Sequence, residues 1–316
     1  GWTTVTVDQT VHDASSPAGF VRASDEELGD LRASAARVLE AAPPSGSWDR
    51  TRWRRMAELG WFALIVPEDR GGAGAGPDVA AALAGSFGRA TAAEPLVAGA
   101  ALPTAWLSGV PSTVAADEIL TAIGEGTGVA AAAWQPEDGA LDGADVPVQL
   151  TAGPADGVTL TGRAWWVAVA DADVYLVLAH RDGEPQLVAC PADAEGLTRV
   201  PLELADGSHC AHLDLVDVQL SSGAVLASGP QVLEALTAAI DLALVLTAAE
   251  LTGLAERALD LTLEHLRRRH QFGRPLGSFQ SAQHAAVDMY TQVRLSAAAL
   301  AAAIREWERP DATARD

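Results

Sequence analysis

The sequence predicts an α+β protein built from three consecutive modules. These are an N-terminal all-α domain over residues 1–123, a middle β-barrel or β-sandwich domain over 124–228, and a C-terminal helical bundle over 229–316. Three observations carry this. Apolar residues recur at helical spacing in the first and last thirds. The middle third breaks into short alternating runs separated by turn residues. A length of 316 residues suits two or three domains at roughly 100–200 residues each.

In the first module, Leu28, Leu31, Ala35, Val38 and Leu39 form a helical stripe that predicts a helix over Asp25–Ala42, stopped by Pro43-Pro44. Ser47-Trp48-Asp49 opens a second helix running through Glu58 and closed by Gly60. The turn-rich stretch from Asp69 to Pro77 leads into a helix over Asp78–Arg89, and further helices are predicted over Pro95–Leu107 and Val114–Ile123. The texture changes near Gly124. Strands are predicted at Gly157–Leu160, Trp165–Val169, Val174–Ala179, Gln186–Cys190 and His212–Val218, with turn signals at Gly143, Asp156-Gly157, Asp182-Gly183 and Asp206-Gly207. Gly229-Pro230 ends the β module. A helix then runs from Gln231 to about His270, breaks at Gly273-Arg274-Pro275, and resumes over Ser278–Trp307.

Composition excludes several functions. Forty-two acidic residues against 21 basic ones give a net charge of −21, which repels nucleic-acid phosphates and anionic membrane surfaces. Every basic residue is arginine, so mechanisms that require lysine, such as Schiff-base or P-loop chemistry, are out. Cys190 and Cys210 are too few for a disulfide framework or a four-thiolate zinc site and read as small buried thiols of a cytoplasmic chain. The N-terminus shows no basic segment followed by an apolar one, the pattern of a secretory signal. The apolar window Gln231–Ala249 contains Glu234 and Asp241, and a mid-span aspartate costs roughly 2.5–3.5 kcal/mol. A buried bundle helix accounts for it better than a membrane span.

Weak motifs fall away in turn. His209-Cys210-Ala211-His212 has metal-like spacing, but strand alternation puts His209 opposite the other two. The glycine-rich run Gly71–Gly76 lacks the strand and the lysine of a phosphate loop and reads as a connecting turn. Ser208, His209 and Asp214 make no credible triad.

The most informative segment contains Arg267, Arg268, Arg269 and Arg274, four guanidinium groups beside a chain reversal. Charge alone leaves two readings open. One is a phosphate or pyrophosphate site. The other is a cationic helix end interacting with its dipole, worth roughly 0.3–1 kcal/mol.

The residue order goes further. Arg269-x-Gln271-Phe272-Gly273-x-Pro275-Leu276-x-x-Phe279-Gln280 resembles the C-terminal signature of acyl-CoA dehydrogenases. Leu59 to Gly74 resembles that family's N-terminal helical block, Gly157 to Asp173 its middle β domain, and His212 to Val218 that domain's closing strand. The resemblance implies FAD as cofactor. It places Arg269 and Gln271 at the FAD pyrophosphate of a neighbouring subunit, Phe272 flanking the flavin, Phe279-Gln280 at the adenosine half, and Trp166 beside the isoalloxazine. The reaction it implies removes a proton and a hydride from adjacent carbons of an acyl-CoA thioester.

The chain departs from the pattern at telling places. The family's flavin loop aligns with Trp134 to Leu141, where Trp134 and Ala140 replace hydroxyl residues; Ala168 replaces another near flavin N5. One location for the catalytic glutamate falls on Ala243, between Leu242 and Leu244, with Asp241 and Glu250 nearby; the other falls beyond Asp316, so that the bundle is short relative to the family. The resemblance therefore implies no catalytic residue in this chain. It points to the non-catalytic subunit of an α2β2 enzyme acting on steroid side-chain CoA thioesters, completing the FAD site of a catalytic partner, with an electron acceptor the sequence does not name. Two other readings stand beside it: a self-sufficient dehydrogenase with further helices downstream, and a cofactor-free scaffold.

Overall fold

The computed structural model describes residues 23–39, 48–141, 148–205 and 207–307. The predicted stop at Pro43-Pro44, the end of the first helix at Ala42 and the turn at Gly143 lie outside them. Helices flank a central sheet, in the predicted order.

Local chemistry explains the helix starts. Helix α1 (Asp25–Leu39) begins with a capping box: the Ser24 backbone N–H donates to Glu27 Oε2 at 2.7 Å, and the Glu27 N–H donates back to Ser24 Oγ at 3.3 Å. Asp49 caps α2 (Arg50–Glu58) by accepting the Thr51 N–H at 2.9 Å. Helix α3 (Pro77–Ala90) carries proline at its first position, where no N–H is needed. The predicted helix from Pro95 divides: Val97–Ala101 is a single widened π turn that feeds α4 (Leu102–Ser108). Helix α5 (Val114–Gly124) completes the module. The run Gly71–Gly76 is a connecting turn, as expected. The N–H groups of Gly72, Ala73, Gly74 and Ala75 donate to Pro67, Ala63, Val66 and Leu64 carbonyls, so these four are not available to a phosphate.

Eight strands form one mixed sheet: β1 (Ala130–Ala133), β2 (Val148–Ala152), β3 (Val158–Val167), β4 (Val174–Arg181), β5 (Glu184–Pro191), β6 (Leu197–Glu203), β7 (His209–Leu220) and β8 (Val225–Ser228). The order is β6-β7-β3-β2-β4-β5-β8, with β1 alongside β4. Strands β1 and β2 share one edge of β4, both parallel to it. The two predicted runs Gly157–Leu160 and Trp165–Val169 are largely one strand, β3, irregular near Gly162 and again between Ala164 and Val167.

Helix α6 (Gln231–Arg268) is apolar enough to cross a membrane by length and composition, yet its first half is a core helix. Val232, Leu236, Ala239, Ile240, Leu246 and Ala249 are buried, and the helix packs on α3 and α4. Its last turns run on to a two-strand hairpin, β9 (His270–Gln271) and β10 (Arg274–Pro275), and then to α7 (Gln280–Trp307). Among the described residues α7 buries only Val293. Leu244, Leu251, Leu254 and Leu261 of α6, with Val287, Tyr290 and Leu295 of α7, are exposed. The bundle thus shows a long apolar seam to its surroundings.

Candidate functional site

The residues singled out from sequence fall into two clusters. The first is the hairpin between α6 and α7. Gln271 pairs with Arg274 and His270 with Pro275, leaving Phe272-Gly273 as a two-residue loop. Both loop residues are left-handed, Phe272 at φ 54° and Gly273 at φ 79°, which makes a type I′ turn. Asparagine-glycine is the usual pair there; a bulky aromatic in that conformation costs about 1–2 kcal/mol. The strained side chain is also 88% exposed.

The base of the hairpin is firmly built. The Arg269 N–H donates to the His265 carbonyl and the Leu276 N–H to the Arg269 carbonyl, each at 2.8 Å. Phe279 stands edge-on to Phe272 at 6.2 Å between ring centroids, and the Arg274 guanidinium lies 4.1 Å over the Phe279 ring. Arg268 pairs with Glu264 at 2.7 Å. Arg267 and Arg269 are exposed and form no salt bridge among the described residues. In a chain of net charge −21, Arg267 and Arg269 stand just before a projecting aromatic. Gln271 and Gln280 are exposed beside them. The set fits a diphosphate attached to a flat ring system held by something else.

The second cluster lies on the sheet, around Trp166. This residue is left-handed at φ 54° and 41% exposed. Its indole Nε1–H donates to the Glu137 carbonyl at 3.0 Å, and its backbone N–H donates to His212 Nδ1 at 3.3 Å. The His212 ring stands edge-on to both Trp165, at 4.5 Å, and Trp166, at 4.9 Å. Beneath them Arg163 and Asp214 form a two-point ion pair, with Nη2–Oδ2 at 2.8 Å, and Arg163 lies 4.8 Å over the Trp165 ring. The Arg163 hydrogen bonds hold the Asp214 carboxyl below the usual aspartate range.

The loop facing Trp166 is a tight turn closed by the Gly139 N–H on the Pro136 carbonyl. Trp134 at its start packs on the core, and its indole N–H is buried without a partner. Ala140 and Ala168 present methyl groups only. Beside Ala168, between Trp48 and Pro95 on one side and Ser208 and His209 on the other, the crevice is about 30 Å³. That admits a water molecule, whereas sites for drug-sized ligands run to roughly 300–1,000 Å³. That crevice is too small for an isoalloxazine, and Ala140 and Ala168 offer no side-chain donor.

The α6 position expected for a catalytic glutamate is an alanine. Ala243 is buried on α6, and Asp241 and Glu250, both half-buried, already have partners. No group of three or more metal-type ligands occurs among the described residues. His209 is exposed while Cys210 is buried, which leaves the His-Cys-Ala-His run without a common face. Burial pushes the Cys190 thiol up to about 12, so it is no nucleophile. The sequence points to Trp134 and Trp165 beside Trp166 as the tryptophans near the cofactor and names His212 in the closing strand, but the link of His212 to the two tryptophans appears only once β3 and β7 are paired.

Comparison with known proteins follows this geometry. Residues 25–125 match the family model for the acyl-CoA dehydrogenase N-terminal domain, and residues 233–314 match that for the C-terminal domain. Acyl-CoA dehydrogenase IpdE2 of Mycobacterium tuberculosis (strain ATCC 25618 / H37Rv) is 30% identical over 285 residues, covering 89% of this chain and 74% of that protein. Among solved structures, the Tcur3481-Tcur3483 steroid ACAD superposes with a TM-score of 0.75 at 29% identity, over 91% of this chain and 79% of that one. The ChsE4-ChsE5 complex from Mycobacterium tuberculosis gives 0.77 at 27%, over 91% and 80%.

Proposed function

The chain belongs to the acyl-CoA dehydrogenase family, and from that premise we propose that it is the supporting subunit of a two-subunit enzyme in the cytoplasm. It lends the Arg269–Gln280 segment to FAD seated mainly on a catalytic partner of the same fold. The reaction is α,β-dehydrogenation of a bulky acyl-CoA, a steroid side-chain thioester being the substrate class. FAD-dependence is a property of the family; when bound, the flavin accepts the hydride that leaves the β-carbon.

One observation carries the reading. A strained, exposed Phe272 is presented outward beside Arg267 and Arg269, which form no salt bridge among the described residues, while Ala140 and Ala168 leave the same chain's sheet without side-chain donors beside Trp166. Arg269, with Arg267 beside it, would bind the diphosphate through charge-assisted hydrogen bonds, and Gln271 would add a neutral one. Phe272 would cover one side of the ring system and exclude water there, and Phe279-Gln280 would contact the adenosine half. Trp166 would border the flavin from the sheet. The proton acceptor would come from the partner, since Ala243 cannot take a proton. Two relatives that superpose over most of this chain are described by paired subunit names, which supports a hetero-oligomer.

Purification alone and with the co-expressed partner tests this. The expected result is a colourless chain alone and a yellow complex that oxidises acyl-CoA. A yellow homo-oligomer that dehydrogenates acyl-CoA unaided overturns it.

A further inference from the structure

The pairing of β3 with β7 contains a bulge with an unusual filling. Ala164 faces Leu213 and Val167 faces Ala211, so two residues, Trp165 and Trp166, stand opposite one, His212. A bulge of this kind leaves a backbone N–H without its ladder partner and re-aims a side chain. Here the Trp165 N–H finds the Gln135 carbonyl at 3.0 Å. Trp166 has no partner in the β3–β7 register, and its N–H donates to the His212 imidazole. The bend that this supports is the left-handed one, strained for a tryptophan. It carries the indole onto the Glu137 carbonyl.

We infer that His212 is the positioning residue for Trp166: its Nδ1 lone pair substitutes for the missing ladder acceptor, and protonation at Nδ1 releases the indole from the 135–140 loop. A proton there turns the acceptor into a donor and sets two N–H groups against each other. The charged groups facing the ring are Asp214 on the same strand, Arg163 on β3, bound to it, and Glu137 on the loop, whose charge acts on Arg163. On the other flank β6 presents uncharged Val200 opposite His212. What this means for a bound flavin rests on the reading of Trp166 given above; the local assignment does not.

The test uses the full chain labelled with fluorotryptophan, followed by fluorine NMR between pH 5 and 8, the range in which imidazoles change charge. Trp166→Phe identifies the Trp166 resonance. In the unaltered protein that resonance is expected to move in one step with pH. His212→Gln, whose amide oxygen accepts at every pH, should hold it at the alkaline position throughout. His212→Phe keeps an edge-on ring but no acceptor and should hold it at the acid position. A pH-independent resonance in the unaltered chain, or a step that persists in His212→Gln, overturns the assignment. Should the variants not fold, the neutral tautomer of His212 in the unaltered chain decides: Nε2–H supports the assignment, Nδ1–H overturns it. A colourless complex, or a yellow chain alone, would defeat the proposed function and leave this result untouched.

Discussion

Gly88 on α3 faces the carbonyl of Glu250 on α6 so closely that a β-carbon there would lie 1.8 Å from the oxygen. The contact is reciprocal, since a β-carbon on Gly253 would come 2.0 Å from the Gly85 carbonyl. Both obstacles are backbone, so neither can swing aside. Gly88→Ala and Gly253→Ala should each cost about 1–3 kcal/mol, measured by urea unfolding. Gly85→Ala is the internal control. Its β-carbon would meet Ala249 O at 3.5 Å, an ordinary contact. The helix-propensity gain of about 0.5–1 kcal/mol should then appear as stabilisation.

Phe272 separates stability from function. Asparagine tolerates the left-handed conformation that phenylalanine resists. Phe272→Asn should leave the isolated chain as stable or up to about 1 kcal/mol more stable. The same variant should reduce flavin retention in the assembled complex. A complex that keeps its flavin would remove Phe272 from the site.

Arg269→Ala should weaken FAD retention in the complex by about tenfold to a hundredfold, the effect of losing charge-assisted hydrogen bonds worth roughly 1.5–3 kcal/mol. Arg269→Lys should recover only part of this, because a lysine ammonium keeps the charge and loses the two-pronged geometry. Flavin absorbance of the complex after gel filtration reads both. An unchanged yield of flavin in Arg269→Ala would favour the scaffold reading.

Glu94 gives a pH signature. Its side chain is fully buried, Oε2 meets Arg52 Nη2 at 2.8 Å, and Oε1 has no partner. Burial raises its pKa above the ordinary glutamate value, with Arg52 pulling the other way. A raised carboxyl favours folding fully below the ordinary glutamate range and loses that contribution as pH rises through the raised value. Glu94→Gln removes the dependence. Its stability relative to the unaltered chain should therefore climb from about pH 4 toward neutrality, by no more than about 1.4 kcal/mol per pH unit. Urea midpoints across that range check it, and a flat or falling difference would refute it.

Much of the helical frame was legible because its signals are local. Asp49 caps, Gly60 reverses the chain at φ 81°, and Gly273 makes the turn that ends α6 possible. The arginine segment was legible for the same reason, being contiguous. The sheet was harder. Ala130–Ala133 carries no β-branched residue, and it becomes a strand only by pairing in parallel with β4, 44 residues on. β3 read as two strands because Gly162 and the bulge interrupt the alternation. The posture of Trp166 depends on a histidine 46 residues away, a relationship no window of sequence contains. The π turn at Val97–Ala101 likewise follows from packing: a β-carbon on Gly99 would sit 3.0 Å from both Pro95 and Val129 side-chain atoms.

The 38 residues of α6 also make it a mechanical lever. Its grip on α3 is the glycine contact, with Arg89 pairing to Glu256 and Asp260 further along, and from Gly253 to Arg268 it runs about 22 Å at 1.5 Å per residue. A tilt of about 5° at the grip would carry the hairpin tip by about 2 Å on that geometry. On the proposed reading, in which Arg269 binds a diphosphate, a displacement of that size is comparable to the roughly 3 Å length of a hydrogen bond. On that reading the tightness of Gly88 and Gly253 is an aiming requirement as well as a packing one. Substitutions there would miss their target before they unfolded the protein.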